Sequence, residues 1–163
     1  MLEILGEDFE GIVICDCWRA YNFFNRLQRC WSHLLRKAKK NENSQAAQNL
    51  YKKLKELFKE IKRFNAKERT SKARADKYEK MTMELRRLVN YYSRYEDLHE
   101  IIVYIGNNIE NWFTCILYEN VEPTNNFAEQ AIRETVVVRK IMGAFRSEQG
   151  PEEYSVLASL LAT

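Results

Sequence analysis

The sequence predicts an α/β protein that is predominantly helical, and two features of its 163 residues support this prediction. The chain is 45% hydrophobic and 30% charged, but it contains only five glycines and two prolines. Such a composition can bury a core, yet it offers too few turn residues for an all-β sandwich or barrel. Apolar residues recur every three or four positions through the middle of the chain, which indicates amphipathic helices.

The clearest strand signal is the short apolar run at 12–15, which ends at Asp16. A run of this length bounded by polar residues is typical of a buried strand. We then expect a short helix at 18–24, followed within 26–35 by a second strand that runs into a helix. The β-branched residues at 135–138 form one further candidate strand.

Residues from about 40 to 120 are expected to form an antiparallel helical bundle or hairpin. Three apolar stripes with helical spacing support this expectation, and they run over 50–64, 81–95 and 98–117. Asp97 precedes the third stripe, so it is the predicted N-cap of that helix.

Two further helices are predicted towards the C-terminus. One starts near Asn126, three residues before Glu129, which is the spacing of a capping box. The other starts at Pro151 and carries apolar residues at helical spacing. Because no C-cap signal follows it, we expect the chain to be cut short at this end.

The charge of the chain is distributed unevenly. Its net charge is only +3, but residues 36–80 contain sixteen Lys or Arg against six Asp or Glu, a net charge of +10. A basic block of this density suggests a polyanionic partner, with nucleic acid as the first candidate. A solvated, lysine-rich helix face would give the same pattern, so both interpretations stay open.

Two carboxylates stand where function is a reasonable hypothesis. Asp16 follows a predicted buried strand, whose sheet would fix the position of the carboxylate while the strand end opens to solvent. Its alternative role is to cap the next helix. Glu129 has an equivalent alternative as the glutamate of the capping box. Neither residue identifies a site by itself.

The four cysteines are expected to be reduced thiols, because the chain has no signal-peptide pattern. Cys15-x-Cys17 followed by Cys30-x-x-His33 invites a zinc-site interpretation. The one-residue gap is not the common chelating step, so small buried thiols are the favoured alternative. No apolar run reaches the roughly 18 residues of a membrane span. We therefore expect a cytoplasmic protein without a membrane partner.

Two blocks of the sequence resemble a known family. Residues 11–21, GIVICDCWRAY, and the following RCWSHLLRKA at 29–38 resemble the region around the second catalytic Asp of DDE transposases of the insertion sequence 66 family. Residues 122–150, EPTNNFAEQAIRETVVVRKIMGAFRSEQG, are similar to the catalytic-Glu segment of that family, and EEYSVLASLLAT continues it. The core P-T-N-N-x-A-E-x-A-I-R, followed by R-K-I and R-S-E-x-G, is long and specific.

The resemblance implies a ribonuclease H-like core that is interrupted by a helical insertion. On this basis residues 1–38 would form part of the core, residues 39–120 the insertion, and residues 121–163 the catalytic-Glu helix and the C-terminal part of the core. Asp16 would be the second acidic residue and Glu129 the third, both as ligands of Mg²⁺ or Mn²⁺. The amides and cations of the second block suit the holding of DNA phosphates, and they are Asn125, Asn126, Arg133, Arg139, Lys140 and Arg146.

The implied function is metal-dependent DNA strand cleavage and strand transfer during transposition, in a prokaryotic, nucleoid-associated protein. The family's first Asp lies well upstream of the second, and only fifteen residues precede Asp16. We therefore expect a catalytic-domain fragment that is inactive alone and that self-associates through open sheet edges. The alternative is a non-catalytic helical module, built on residues 36–80, that binds DNA or protein. A third hypothesis is a helical structural protein without catalytic or binding function, which the motif at 122–150 disfavours.

Overall fold

The protein divides into two compact units, Met1–Asn125 and Asn126–Thr163. A computed structural model describes residues 9–17, 21, 23–131, 133, 137, 140, 141, 143 and 149–161. The predicted division into segments 1–38, 39–120 and 121–163 stays a prediction.

The first unit contains a small parallel sheet, as well as most of the helices. Strand β1 (Val13–Cys15) pairs in parallel with strand β2 (Leu27–Arg29), with Ile14 opposite Gln28. Both strands lie within the segments in which the sequence predicts them. Because the strands are parallel, their carboxyl ends meet at the same edge of the sheet.

Helices make up most of the described residues, which confirms the prediction of a predominantly helical chain with a small β component. The first unit contains five helices and two 3₁₀ turns among its described residues. They are α1 (Trp31–Lys40), α2 (Gln45–Asn65), α3 (Ser71–Tyr92), a 3₁₀ turn (Glu96–Leu98), α4 (His99–Gly106), a second 3₁₀ turn (Ile109–Trp112) and α5 (Thr114–Leu117). The long helices α2 and α3 pack on each other as a hairpin joined by the loop 66–70.

Polar side chains define where the two long helices begin. The Ser44 hydroxyl accepts the Ala47 N–H at 3.1 Å, and the Thr70 hydroxyl accepts the Ala73 N–H at 3.3 Å. Each bond satisfies one of the N–H groups that the first turn of a helix leaves without an intrahelical partner. Helices α2 and α3 therefore start with standard N-caps.

The prediction of Asp97 as an N-cap is wrong. Asp97 lies inside the first 3₁₀ turn, and helix α4 begins two residues later at His99. The Asp97 carboxylate instead accepts the Ser44 hydroxyl at 2.5 Å. This bond ties the start of α2 to the turn that follows α3, so it closes the base of the hairpin.

The stripe at 98–117 is not one helix, although its spacing predicts one. Helix α4 ends at Gly106, and Asn108 then adopts a left-handed conformation with φ of +55°. Gly and Asn are the residues that tolerate such a helix-ending conformation. The chain continues through the second 3₁₀ turn into the short helix α5.

Tryptophan side chains occupy the centre of the first unit. Trp31 and Trp112 are fully buried, and their ring centroids lie 5.9 Å apart. The Trp31 indole N–H donates to the Trp112 carbonyl at 2.6 Å, while its ring stacks on Phe58. The apolar stripes of α1, α2 and α3 complete this core, with Leu34, Leu50, Leu54, Leu57, Ile61, Met81 and Leu85 among its buried members.

Side-chain hydrogen bonds attach the sheet to the second 3₁₀ turn and α5. Gln28 is fully buried, and its amide nitrogen donates to the Trp112 carbonyl at 3.2 Å. Its amide oxygen accepts the Cys115 N–H at 2.7 Å. The Thr114 hydroxyl donates to the Leu27 carbonyl at 2.5 Å. Side-chain hydrogen bonds of Gln28 and Thr114 thus hold strand β2 against the second 3₁₀ turn and α5.

The second unit contains helices α6 (Asn126–Ala131) and α7 (Gly150–Leu161), and α7 confirms the helix predicted from Pro151. Of the candidate strand at 135–138, only Val137 is described, and it is helical. Most of the predicted helix at 18–24 likewise lies outside the described residues. None of the helices that the structure describes is long and apolar enough to cross a membrane.

Candidate active site

The carboxyl edge of the sheet carries Asp16. This residue follows β1 directly, and it is exposed. One residue beyond β2, the Cys30 N–H donates to the Cys15 carbonyl at 2.8 Å. The backbone is therefore fixed by a hydrogen bond up to the residue immediately before Asp16, while the carboxylate itself faces solvent.

The first half of the Pro-Thr-Asn-Asn motif lies at this same edge. The Trp31 N–H donates to the Pro123 carbonyl at 3.0 Å, and the Asn125 N–H donates to the Cys30 sulfur at 3.4 Å. Pro123 and Thr124 are buried. The chain thus leaves the sheet at β2, runs through the helices, and returns to the end of β2 before the first unit finishes at Asn125.

Asn125 also brings a polar atom to this edge. Its side-chain oxygen is buried and accepts no hydrogen bond from the rest of the described chain. A buried carbonyl oxygen without a donor is rare in a folded protein, and it favours a role towards a ligand or an ordered water. Of the predicted site residues, the structure therefore brings Asp16 and Asn125 to one edge of the sheet.

In the second unit, three predicted residues line one cleft of about 200 Å³, two of them on helix α6 and one a helical residue beyond its end. They are Asn126, Glu129 and Arg133, and Gln130 lies beside them. Their spacing of three, four and seven residues puts them on one face of a helix. The helix begins at Asn126 itself, whereas the predicted capping box requires Asn126 to precede the first helical residue. Helix bounds vary by a residue with the definition used, so the capping-box alternative for Glu129 stays a prediction.

Three predicted phosphate-binding residues remain, and one of them is described. Lys140 is an exposed helical residue of the second unit. Arg139 and Arg146 lie outside the described residues.

Sequence reasoning missed a cavity of about 590 Å³ in the first unit. Cys17, Arg29, Lys37 and Tyr104 contribute to its wall. Arg29 is the last residue of β2, and only 4% of it is exposed. The available signal was an arginine inside the second predicted strand, since a charged residue is seldom buried in a sheet.

The thiols at this edge are protonated at neutral pH. Burial, together with the neighbouring Cys17 and Asp16, raises the pKa of Cys15 to about 12. Burial also raises the pKa of Cys17, although a hydrogen bond with Tyr104 opposes the rise. All four cysteines are free. These thiols therefore pack as small apolar groups rather than acting as thiolates.

Within the described part of the chain, no group of three or more His, Cys, Asp or Glu is arranged to hold a metal ion. All four residues of the zinc alternative are described, so that alternative is not supported. Asp16 belongs to the first unit and Glu129 to the second, and each has the hard oxygen donors that suit Mg²⁺.

Comparison with known proteins agrees with the resemblance of the two sequence blocks. A family model for the Transposase IS66 family matches residues 1–153. No curated protein and no solved structure matches the chain. The family match includes the strand that ends at Asp16, the helical middle and the segment around Glu129. The chain therefore belongs to the IS66 family of transposases.

Proposed function

We propose that this chain is part of a transposase catalytic domain that performs metal-dependent DNA cleavage and strand transfer, with Asp16 and Glu129 as metal ligands. The observation that carries the proposal is the attachment of Pro123 and Asn125 to the strand end next to Asp16. Glu129 follows Asn125 by four residues on a helix that begins at once.

The same path of the chain supports a ribonuclease H-like core with a helical insertion. The chain departs from the sheet at β2 and comes back to it at Pro123, and helices α1 to α5 lie between these two points. A parallel sheet with a carboxylate at its carboxyl edge is the arrangement that such a core requires. We propose that segments 1–38 and 121–163 belong to this core.

The residues present fit a magnesium site in their chemistry. Mg²⁺ prefers carboxylate oxygens and water, and Asp16 is an exposed carboxylate on a fixed strand end. When bound, Mg²⁺ or Mn²⁺ would activate the attacking oxygen and stabilise the leaving oxygen of a phosphodiester.

The chain's own polar groups would orient the substrate. Asn125, Asn126 and Arg133 can hold phosphate oxygens through amide and guanidinium hydrogen bonds. Arg139, Lys140 and Arg146 extend the same role along the motif.

Titration with Mn²⁺, followed by its electron paramagnetic resonance signal, tests the metal ligands. We expect Asp16→Asn and Glu129→Gln each to weaken Mn²⁺ binding about tenfold or more, because each removes a charged ligand but keeps the side chain's size. Asp76→Asn is the matched control, since Asp76 is an exposed carboxylate on α3. Binding that is equal in wild type and in both site variants would contradict the proposal.

A second candidate is a DNA-binding module that does not catalyse, and the tip of the α2–α3 hairpin favours it. Exposed cations cluster there without an ion pair among the described residues, and they are Lys62, Arg63, Lys67, Arg69 and Lys72. DNA binding that needs no divalent metal and survives Asp16→Asn would support this function. Binding that requires both the metal and Asp16 would support the catalytic one.

Self-association is a further part of the proposal. Each strand of the sheet has one strand neighbour among the described residues, so a second copy could pair with an outer edge. Light scattering across micromolar concentrations tests this, and a monomeric mass throughout would contradict it.

A further inference from the structure

We propose that the cavity of Arg29, Lys37 and Tyr104 binds a backbone phosphate of DNA. This inference rests on the proposed function for its substrate class. It adds a subsite whose residues Arg29 and Lys37 belong to the block at 29–38 but are not among the metal ligands or phosphate-holding residues named above. The subsite lies at the carboxyl edge of the sheet, because Cys17 lines the cavity and directly follows Asp16.

The buried guanidinium of Arg29 is the first argument. Arg29 is 4% exposed, and its guanidinium carbon lies 5.6 Å from the centre of the Trp112 ring. No carboxylate of the described chain forms an ion pair with it. Burying a cation is costly unless an anion or a set of hydrogen bonds compensates for the lost hydration. A ring contact alone supplies only part of this compensation.

The charges around the cavity are the second argument. Lys37 also lines the cavity, but its ammonium group already pairs with Glu100 at 2.5 Å and lies over the Tyr104 ring. Arg29 is therefore the cation of this lining that forms no ion pair within the described part of the chain. A phosphate oxygen pair matches the planar fork of a guanidinium, which makes phosphate the ligand of choice.

The neighbouring surface distinguishes a nucleic acid from a small anion. A second cavity of about 710 Å³ shares Lys37 and Tyr104 with the first one. The cations Arg36, Lys39 and Lys40 of helix α1 also line it, and none of them has an ion pair among the described residues. A free phosphate would contact only one or two of these cations, whereas a DNA strand, with a phosphate at each nucleotide, could contact several of them.

A structural role for the α1 cations does not remove the argument. Lys37, Lys39 and Lys40 lie in the last turn of the helix, where positive charge stabilises the helix dipole. That effect explains exposed lysines at this position. It does not explain Arg29, which is buried and lies on a strand rather than in the last turn of the helix.

Cys17 provides a reporter inside the cavity. It is partly exposed, whereas Cys15, Cys30 and Cys115 are buried. Because the pKa of Cys17 is raised, its alkylation by iodoacetamide is followed at alkaline pH, where the thiolate fraction is larger. Mass spectrometry on the full chain measures the rate, without any divalent metal. We expect a 20-nucleotide single-stranded DNA to slow the modification of Cys17 at least fivefold. Inorganic phosphate, at the same total phosphate concentration, is expected to slow it less than twofold.

Two variants assign this protection to the proposed subsite. Arg29→Gln removes the unbalanced charge and should abolish the protection, and it should lower the salt-dependence slope of DNA binding by about one. Val103→Glu serves if the first variant fails to fold, because Val103 is an exposed lining residue and the new carboxylate repels phosphate. Arg94→Gln is the control, since Arg94 is an exposed arginine away from the cavity lining.

Three outcomes would overturn the inference: DNA that leaves Cys17 reactivity unchanged, protection by free phosphate equal to that by DNA, or protection that persists in both cavity variants. Each of them leaves the metal-binding test of Asp16 and Glu129 untouched, because this assay contains no metal. Conversely, wild-type protection together with a failed Mn²⁺ titration would overturn the proposed function and support the subsite.

Discussion

Gln28 offers the sharpest test of how the sheet is held in the fold. Gln28→Leu keeps the side-chain volume but removes the amide that joins β2 to Trp112 and Cys115. The position is fully buried, so water cannot replace the lost hydrogen bonds. The variant therefore measures the hydrogen bonds rather than the packing.

The size of the effect follows from the partners that remain. The Cys115 N–H loses its 2.7 Å acceptor inside the core, and an unsatisfied buried donor costs about 1–3 kcal/mol. The Trp112 carbonyl keeps the Trp31 indole N–H as a donor, so its loss is smaller. We expect the free energy of unfolding to fall by about 2–4 kcal/mol in total.

Urea unfolding followed by tryptophan fluorescence measures this change, because Trp31 and Trp112 lie in the affected core. With a slope of about 2 kcal/mol per molar urea, the midpoint should fall by about 1–2 M. Gln48→Leu is the matched control on the exposed face of α2, and we expect a change within about 0.5 kcal/mol. If Gln28→Leu costs no more than this control, the amide does not hold the sheet to the core.

Two further predictions concern a helix start and a buried thiol. Ser44→Ala should lower the free energy of unfolding in urea by about 1–2 kcal/mol, because it removes both the α2 cap and the bond to Asp97. Thr70→Ala removes only a cap and should lower it by about 1 kcal/mol or less. Equal losses in the two variants would mean that the Asp97 bond contributes nothing. Burial raises the pKa of Cys115 to about 12, so its thiol stays protonated in the folded chain while the unfolded chain ionises near pH 8.5. Stability should therefore fall as pH rises, and Cys115→Ala should reduce the loss between pH 7.5 and 9.5 by about 1 kcal/mol; an unchanged loss would contradict this.

The local elements of the fold could be predicted from the sequence because their signals are local. A short apolar run ending at a carboxylate indicated β1, and apolar stripes indicated α2 and α3. The third stripe misled because Asn108 ends the helix through a left-handed backbone, while the apolar spacing continues past it. Asp97 resembled an N-cap, but a distant partner, Ser44, determines its role. Hydropathy spacing does not record backbone conformation or long-range hydrogen bonds.

The candidate site, like the fold, contains residues that could be identified from the sequence and residues that could not. The motif around Asp16 and Glu129 could be found from sequence because the family resemblance is long and specific. The attachment of Asn125 to Cys30 spans 95 positions, so no local pattern reveals it. Arg29 was missed for a similar reason, since its significance comes from burial without a carboxylate partner. Only the packed structure supplies that observation.

The contacts at the far end of the α2–α3 hairpin limit how this protein can be engineered. The Asn65 amide donates to the Cys115 carbonyl at 2.9 Å, and the buried guanidinium of Arg74 donates to the Ile116 carbonyl at 3.0 Å. Ser44 and Asp97 close the other end of the hairpin. Deleting the hairpin and bridging its base would therefore strip α5 of its donors and expose the segment that Gln28 holds. The hairpin therefore cannot be removed independently, and exchanging it between homologous proteins would require exchanging α5 and β2 together with it.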